Sequence, residues 1–404
     1  MNPLVKGRPG LARVLAALDG EGEEARIVGG AVRDWLTGRG LRSDIDIATT
    51  ALPEEVERRA RAAGLKTVPT GIEHGTVTVI AEGEPYEVTT LREDVETDGR
   101  RARVIFGRSW AQDARRRDFT MNALYLTRSG ELVDLVDGAA DAKAGCVRFI
   151  GDADTRIRED YLRILRLFRF HAAFGRGPLD PPALAAAIRN REGLDRLSRE
   201  RVRAELMKLL VAPRAAETLA QMQQAGLLAP LLGREGEVPA FARLAEVEAA
   251  LGLAPDAVRR LGALTVREAS AAQALRAGLR LSNSEAARLE ALAGPAPTPA
   301  MCEKGQKAFL YRMGREAFQD RALIAFARAG APLDDEGWRA LAAIAADGPI
   351  PVFPLKAADF LARGMAPGPA LGAALKRAEE AWIEAGFPRE PAALEGILAA
   401  ASEG

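Results

Sequence analysis

The stretch RIVGGAVRDWLTGRGLRSDIDIATT, residues 26–50, decides the fold. Residues 26–30 form a short apolar strand pattern that runs into two glycines, Gly29 and Gly30. Residues 31–36 then read as a helix, and residues 45–48 (IDIA) alternate as a half-buried strand does. Two glycines between a strand and a helix let backbone N–H groups approach an anion closely. Arg33 falls on the first helical turn, near that anion. Asp44 and Asp46 lie two residues apart on a strand, which points both side chains to one face. Two adjacent carboxylates repel each other unless a divalent cation sits between them. Taken singly, the halves read as a glycine turn and a solvent-facing acidic strand. Together, with Ile45 and Ile47 alternating behind the carboxylates, they read as a site for an anion and a metal ion.

Working outward, residues 76–80 (TVTVI) and 86–91 (YEVTTL) are β-branched runs separated by EGEP, the pattern of a hairpin. Glu87 in the second run is a candidate third carboxylate, and equally an ordinary exposed glutamate. Residues 124–126 and 132–136 read as two more strands around Arg128-Ser129-Gly130. Helices are expected at 11–18 and 53–63, the latter opened by Pro53 with Glu54 and Glu55 in its first turn. After about residue 140 the strand signals stop. Residues 154–174 predict one long helix, broken at Gly175-Arg176-Gly177-Pro178, followed by helices at 181–188 and 198–210 with Ser198 as a good N-cap. The rest reads as Ala/Leu-rich amphipathic helix, with GPAPTP at 294–299 as the best linker. The expected fold is α+β: a mixed sheet with helices, then an all-α remainder.

The chain has 404 residues and a mass near 43 kDa. Two cysteines, Cys146 and Cys302, exclude a disulfide framework or a Cys-rich zinc site, and two histidines, His74 and His171, exclude a His-rich metal centre. A catalytic metal would sit on oxygen ligands, which points to Mg²⁺. There is no signal-type N-terminal stretch and no run of about 18 apolar residues, so a cytoplasmic protein with no membrane partner is expected. Lys+Arg and Asp+Glu are each 56, a net charge of zero. By itself that argues against a nucleic-acid binder. Divided along the chain it argues otherwise: residues 1–99 carry a net −6, residues 100–210 a net +8, and the remainder −2.

The basic stretch holds two further motifs. In RRRDFTMNAL, residues 115–124, Asp118 and Asn122 are expected as i, i+4 neighbours on a helix, and an arginine such as Arg117 is suited to gripping triphosphate oxygens. A solvated basic turn is the plain alternative. In REDYLRILRLFRF, residues 158–170, Asp160, Arg163 and Arg166 recur at i, i+3, i+6 on one face, with Leu162, Leu165 and Phe168 behind. Ordinary helical ion pairs would explain the spacing. More specifically, a carboxylate accepts from the exocyclic amine of cytosine or adenine while a guanidinium donates to ring acceptors, which reads C or A against U and G.

At these residues the chain resembles the bacterial class II tRNA nucleotidyltransferase (CCA-adding) and poly(A) polymerase family. The matching segments are VGGAVRDWLTG, SDIDIATT, HGTVTV, YEVTTLR, RRDFTMNAL and REDYLRILRLFRF, in the family's order over roughly residues 25–175. The resemblance implies a sea-horse-like molecule: a nucleotidyltransferase head at 1–140, a helical neck at 141–213 carrying a base-selecting template helix, a helical body at 214–293 and a tRNA-binding tail at 294–404. It implies catalytic and Mg²⁺-binding roles for Asp44 and Asp46. It implies nucleotide contacts at Gly29, Gly30, Arg33, Arg117, Asp118 and Asn122. Its base-selecting template falls on Glu159, Asp160 and Arg163, supported by Arg166 and Arg169. Its flexible loop falls on residues 92–106, departing from the usual pattern at Thr97 and Ala102, and favours full CCA addition. The basic stretch typical of poly(A) polymerases is missing at 68–75, which favours tRNA. With only two histidines in this sequence, no His/Asp phosphohydrolase domain is expected. The partners implied are the acceptor arm and 3′ end of tRNA, with CTP and ATP as substrates, and not DNA. Poly(A) synthesis, partial CC- or A-addition, and a non-catalytic RNA-binding protein are the competing readings.

Overall fold

The computed structural model describes residues 3–40, 44–71, 75–94 and 104–403. It divides into two compact units. One runs up to Thr218 with Gln224–Leu227, and the other holds Leu219–Gln223 and Leu228 onward. In chain order the first unit contains α1 (Pro9–Leu18), β1 (Ala25–Val28), α2 (Gly30–Leu36), β2 (Asp46–Thr49), α3 (Pro53–Ala62), β3 (Lys66–Gly71), β4 (Thr76–Ala81), β5 (Glu84–Thr90), β6 (Arg92–Asp94), β7 (Val104–Phe106), α4 (Trp110–Arg116), β8 (Leu124–Thr127), β9 (Leu132–Asp134), α5 (Gly138–Ala144), α6 (Ala153–Glu159), α7 (Leu162–Phe174), α8 (Pro181–Arg189) and α9 (Arg199–Leu210).

Seven strands form one mixed sheet in the order β3-β4-β5-β2-β1-β8-β9. Only β2 and β5 pair in parallel; the other neighbours are antiparallel. Alternation puts Ile27, Ile47, Val77, Val79 and Val88 in the core, each with no exposed surface. The hairpin β4–β5 forms as expected across EGEP, and so do β8 and β9. β3 is an edge strand that the sequence reading missed. Pro69 breaks its pattern, and an edge is where a sheet tolerates proline. Among the described residues no strand follows Asp134.

Three expectations need correction. The helix predicted over 154–174 is two helices. Asp160 is extended between them (φ −154°, ψ 105°), and its Oδ1 accepts the N–H of Leu162 at 3.1 Å. A short carboxylate that accepts the first N–H of the next helix competes with continuing the previous one. Asp118 and Asn122 are not on an α-helix: Phe119 is extended and bridges Phe149, and a single 3₁₀ turn covers Thr120–Asn122. The Thr120 N–H to Arg148 carbonyl and Ile150 N–H to Asp118 carbonyl bonds, both 3.0 Å, pull this segment out of helix. The GPAPTP segment lies inside the second unit, where Arg321 donates to the carbonyls of Ala291, Ala293 and Pro295.

The second unit is helical. Glu303–Ala329 is two helical stretches joined at Gly314, whose backbone is not helical (φ 76°, ψ 169°), and a buried network joins Arg259 and Arg260 to Glu248 and Asp320. Among the described residues no helix is long and apolar enough to cross a membrane. Ser43, His74 and the loop positions Thr97 and Ala102 lie outside the described residues.

Candidate active site

The strand β1 ends at Gly29, whose φ of 75° favours glycine and whose N–H donates to the Leu124 carbonyl at 3.0 Å. An added Cβ there would approach the Asn122 carbonyl oxygen at 3.7 Å and Arg117 Nη1 at 3.9 Å. The glycine turn thus brings β1, β8 and the 115–124 segment to one corner. Asp46 opens β2 beside it. Asp44 precedes the strand rather than lying within it.

One cavity of about 770 Å³ is lined by Gly29, Gly30, Arg33, Asp44, Asp46, Arg117, Asp118, Asn122, Asp160, Arg163, Arg166 and Arg169. The structure therefore gathers the residues from all three motifs. Glu87 does not line this cavity. It pairs in register with Asp46 across β2 and β5, and both line a smaller adjoining cavity with Arg117.

Asp46 is pushed up to about 6 by the protein packed around it, then by the charges of Glu87 and Asp44, with Arg117 opposing. Repulsion of this kind is what a bound cation relieves, so the donor set fits a hard divalent ion. Among the described residues, however, no three His, Cys, Asp or Glu side chains converge as a metal cage.

The basic wall is held from behind by carboxylates. Asp113, 1 % exposed, accepts from Arg116 Nε at 2.7 Å, from Arg117 Nε and Nη2 at 3.1 and 3.0 Å, and from the Tyr125 hydroxyl at 2.7 Å. Burial raises its carboxyl, but the two guanidinium groups and Tyr125 outweigh this and hold it below the ordinary range. Asp118 is treated alike: burial is overcome by Arg166, whose Nε donates to Oδ2 at 2.7 Å, by Asn122 and by the Phe119 N–H.

Arg33 is 4 % exposed. It donates to Asp34 at 2.8 and 3.1 Å and to Asn122 Oδ1 at 2.7 Å, and its guanidinium lies 3.6 Å over Phe174. Burial lowers its pKa, and Asp34 partly restores it. Arg169 donates to buried Glu205, which Arg166 approaches at 3.8 Å.

The base-reading candidates meet at the break between α6 and α7. Asp160 Oδ2 accepts from Arg201 Nη2 at 2.7 Å. Arg163 donates to Glu159 and to the Arg156 carbonyl at 2.8 Å. The sequence reading missed Arg201, Lys208 and Phe174 as cavity residues and Asp113 as the carboxylate behind Arg116 and Arg117. Arg201 and Lys208 are two turns apart on one face of α9, a spacing legible once α9 is known to face the cleft.

Two family models match the chain: "Poly A polymerase head domain" over residues 25–148 and "Probable RNA and SrmB- binding site of polymerase A" over residues 178–238. Among curated proteins, the mitochondrial CCA tRNA nucleotidyltransferase 1 of Danio rerio is 46 % identical over 207 residues, covering 50 % of this chain and 48 % of that protein. The CCA-adding enzyme of Leuconostoc citreum is 43 % identical over 222 residues, covering 54 % of each. The matched stretch spans about half the length of these relatives. Among solved structures, the Bacillus stearothermophilus CCA-adding enzyme in complex with CTP superimposes with a TM-score of 0.76 at 29 % identity, covering 99 % of this chain and 98 % of that one. The Thermotoga maritima CCA-adding enzyme complexed with tRNA shares the fold, with a TM-score of 0.66 at 19 % identity, covering 99 % and 96 %.

Proposed function

We propose that this chain is a member of the class II tRNA nucleotidyltransferase and poly(A) polymerase family and adds C, C and A in turn to the 3′ end of tRNA from CTP and ATP, without a nucleic-acid template. The observation that carries the reading is one cavity that holds the carboxylates Asp44 and Asp46 together with Asp160 and Arg163. Phosphate chemistry and base choice then share a single site.

In this reading the tRNA 3′-oxygen attacks the α-phosphorus in line, a new phosphodiester bond forms, and pyrophosphate leaves with the bridging electrons. Asp44 and Asp46 would hold Mg²⁺, which when bound acidifies the 3′-hydroxyl and neutralises the triphosphate. Glu87, beside Asp46, adds negative charge to the same corner. Gly29 and Gly30 leave room for the triphosphate against the backbone. Arg117, fixed by Asp113, presents its remaining donors to phosphate oxygens. Asp118 and Asn122 keep Arg166 and Arg33 in place. Asp160 accepts from the exocyclic amine of C or A, and Arg163 donates to the ring. U and G place a carbonyl where the amine is required, and two facing acceptors repel. The tRNA is held by its phosphates and shape, and the protein acts in the cytoplasm.

The deciding experiment gives the purified protein tRNA lacking its terminal CCA, with CTP and ATP. Addition of C, C and A that stops there is expected. Long oligo(A) on unrelated RNA would identify a poly(A) polymerase, addition ending after CC a partial enzyme, and binding with no incorporation a non-catalytic RNA-binding protein.

A further inference from the structure

The arginines of the cleft are already matched by carboxylates. Arg33 is paired with Asp34, Arg117 with Asp113, Arg163 with Glu159, Arg166 with Asp118, and Arg169 with Glu205. Arg201 is paired with Asp160. An arriving triphosphate brings about four negative charges into a wall whose cations are largely compensated, beside two carboxylates that add to the repulsion. Lys208 lines the same cavity, is exposed, and has no carboxylate or hydrogen-bond partner among the described residues.

Its place along α9 indicates which part of the nucleotide it meets. Arg201, two turns before it, marks the end where Asp160 stands. Glu205, one turn before it, meets Arg169 in the middle of α7. Just past α9 the Arg214 N–H reaches the Ala172 carbonyl at 2.9 Å, so α9 ends beside the end of α7. There Phe174 lies under Arg33, the arginine that follows the Gly29–Gly30 turn. Lys208 therefore stands at the phosphate end of the cleft, opposite the base end.

We propose that Lys208 is the counter-charge for the nucleotide's β- and γ-phosphates, on a stem flexible enough to follow the triphosphate as it enters and the pyrophosphate as it leaves. The assignment rests on the nucleotidyltransferase reading above. An ammonium suits this task as a compact charge, where the fixed guanidinium forks do not.

The test measures binding by calorimetry on the full chain without RNA, using CTP and CMP with wild type, Lys208→Met and Lys208→Arg. Losing one charge-assisted contact weakens CTP binding by about 10- to 100-fold. Lys208→Met should do this while leaving CMP within about twofold of wild type, and Lys208→Arg should restore most of the CTP affinity. Equal weakening of CTP and CMP, or unchanged CTP affinity with a raised KM for tRNA, overturns the assignment. Because the readout is binding, a wild-type protein that fails to extend tRNA would sink the proposed function while leaving this result readable.

Discussion

Asp113→Asn is the substitution most informative about the basic wall. One buried carboxylate accepts from Arg116 through Oδ1 and from Arg117 and Tyr125 through Oδ2. Asparagine keeps the shape but has one acceptor oxygen. Whichever way the amide turns, its NH₂ faces a guanidinium N–H. Breaking a buried charge pair from one side costs about 3–5 kcal/mol. The side chains of Arg116 and Arg117 retain 21 % and 22 % of their exposure, so water softens the loss toward about 3 kcal/mol. For a unit of this size that lowers Tm by roughly 6–12 °C. Calorimetric or circular-dichroism melts at pH 7 would read it, with KM for CTP rising in parallel as Arg117 loses its hold. The Asp113 carboxyl lies below its ordinary value of 3.8, so its contribution is present above that pH and is lost as pH falls through the lowered value. The mutant's deficit should therefore be constant from pH 5 to 8. A Tm shift under about 2 °C, or a deficit that vanishes between pH 8 and 5, would refute the account of Asp113 as the anchor of Arg117.

Three further outcomes are expected. Asp44→Ala and Asp46→Ala each abolish nucleotide incorporation with the fold intact, and substantial residual turnover in either would remove its metal role. Asp160→Ala raises misincorporation of UTP and GTP relative to CTP and ATP by more than it lowers stability; unchanged selectivity in a folded protein would dismiss the base-reading role. His171 is buried, and its pKa is lowered from 6.5 to about 4 by burial and then by Arg214, so the unfolded chain binds its proton first and stability falls as pH drops through that window. Between pH 7 and 5 the loss is about 2 kcal/mol, and denaturant titrations of His171→Gln should show a correspondingly shallower pH dependence.

The sheet was largely legible because β-branched runs mark β4 and β5 and short apolar runs mark β1 and β2. The edge strand β3 was not, since Pro69 interrupts a pattern that only its place at the sheet's edge makes acceptable. The helix break at Asp160 was hidden for a different reason. The apolar period of 154–174 runs through it, and only the bond from the Leu162 N–H to Asp160 and the pull of Arg201, 41 residues on, reveal it. The motif residues that meet the cleft were found by chemistry at short spacing. Asp113 and Glu205 were not, because a buried carboxylate announces itself only through partners distant in sequence or through its burial.

The charge arithmetic makes a related point. A stretch with a net +8 suggests arginines waiting for phosphate, yet in the cleft nearly every guanidinium is already bound to a carboxylate. Such pairing spends attraction to gain position: five donors in a planar fork can be aimed only if something fixes the fork, and a buried acid does so. The matched acids are part of why the whole chain sums to zero while still presenting an ordered array of N–H donors. Neutral composition is thus compatible with a site for a polyanion, provided that some charge stays unmatched. Among the described residues of this cleft Lys208 is unmatched, and the divalent ion proposed for Asp44 and Asp46 would supply the rest.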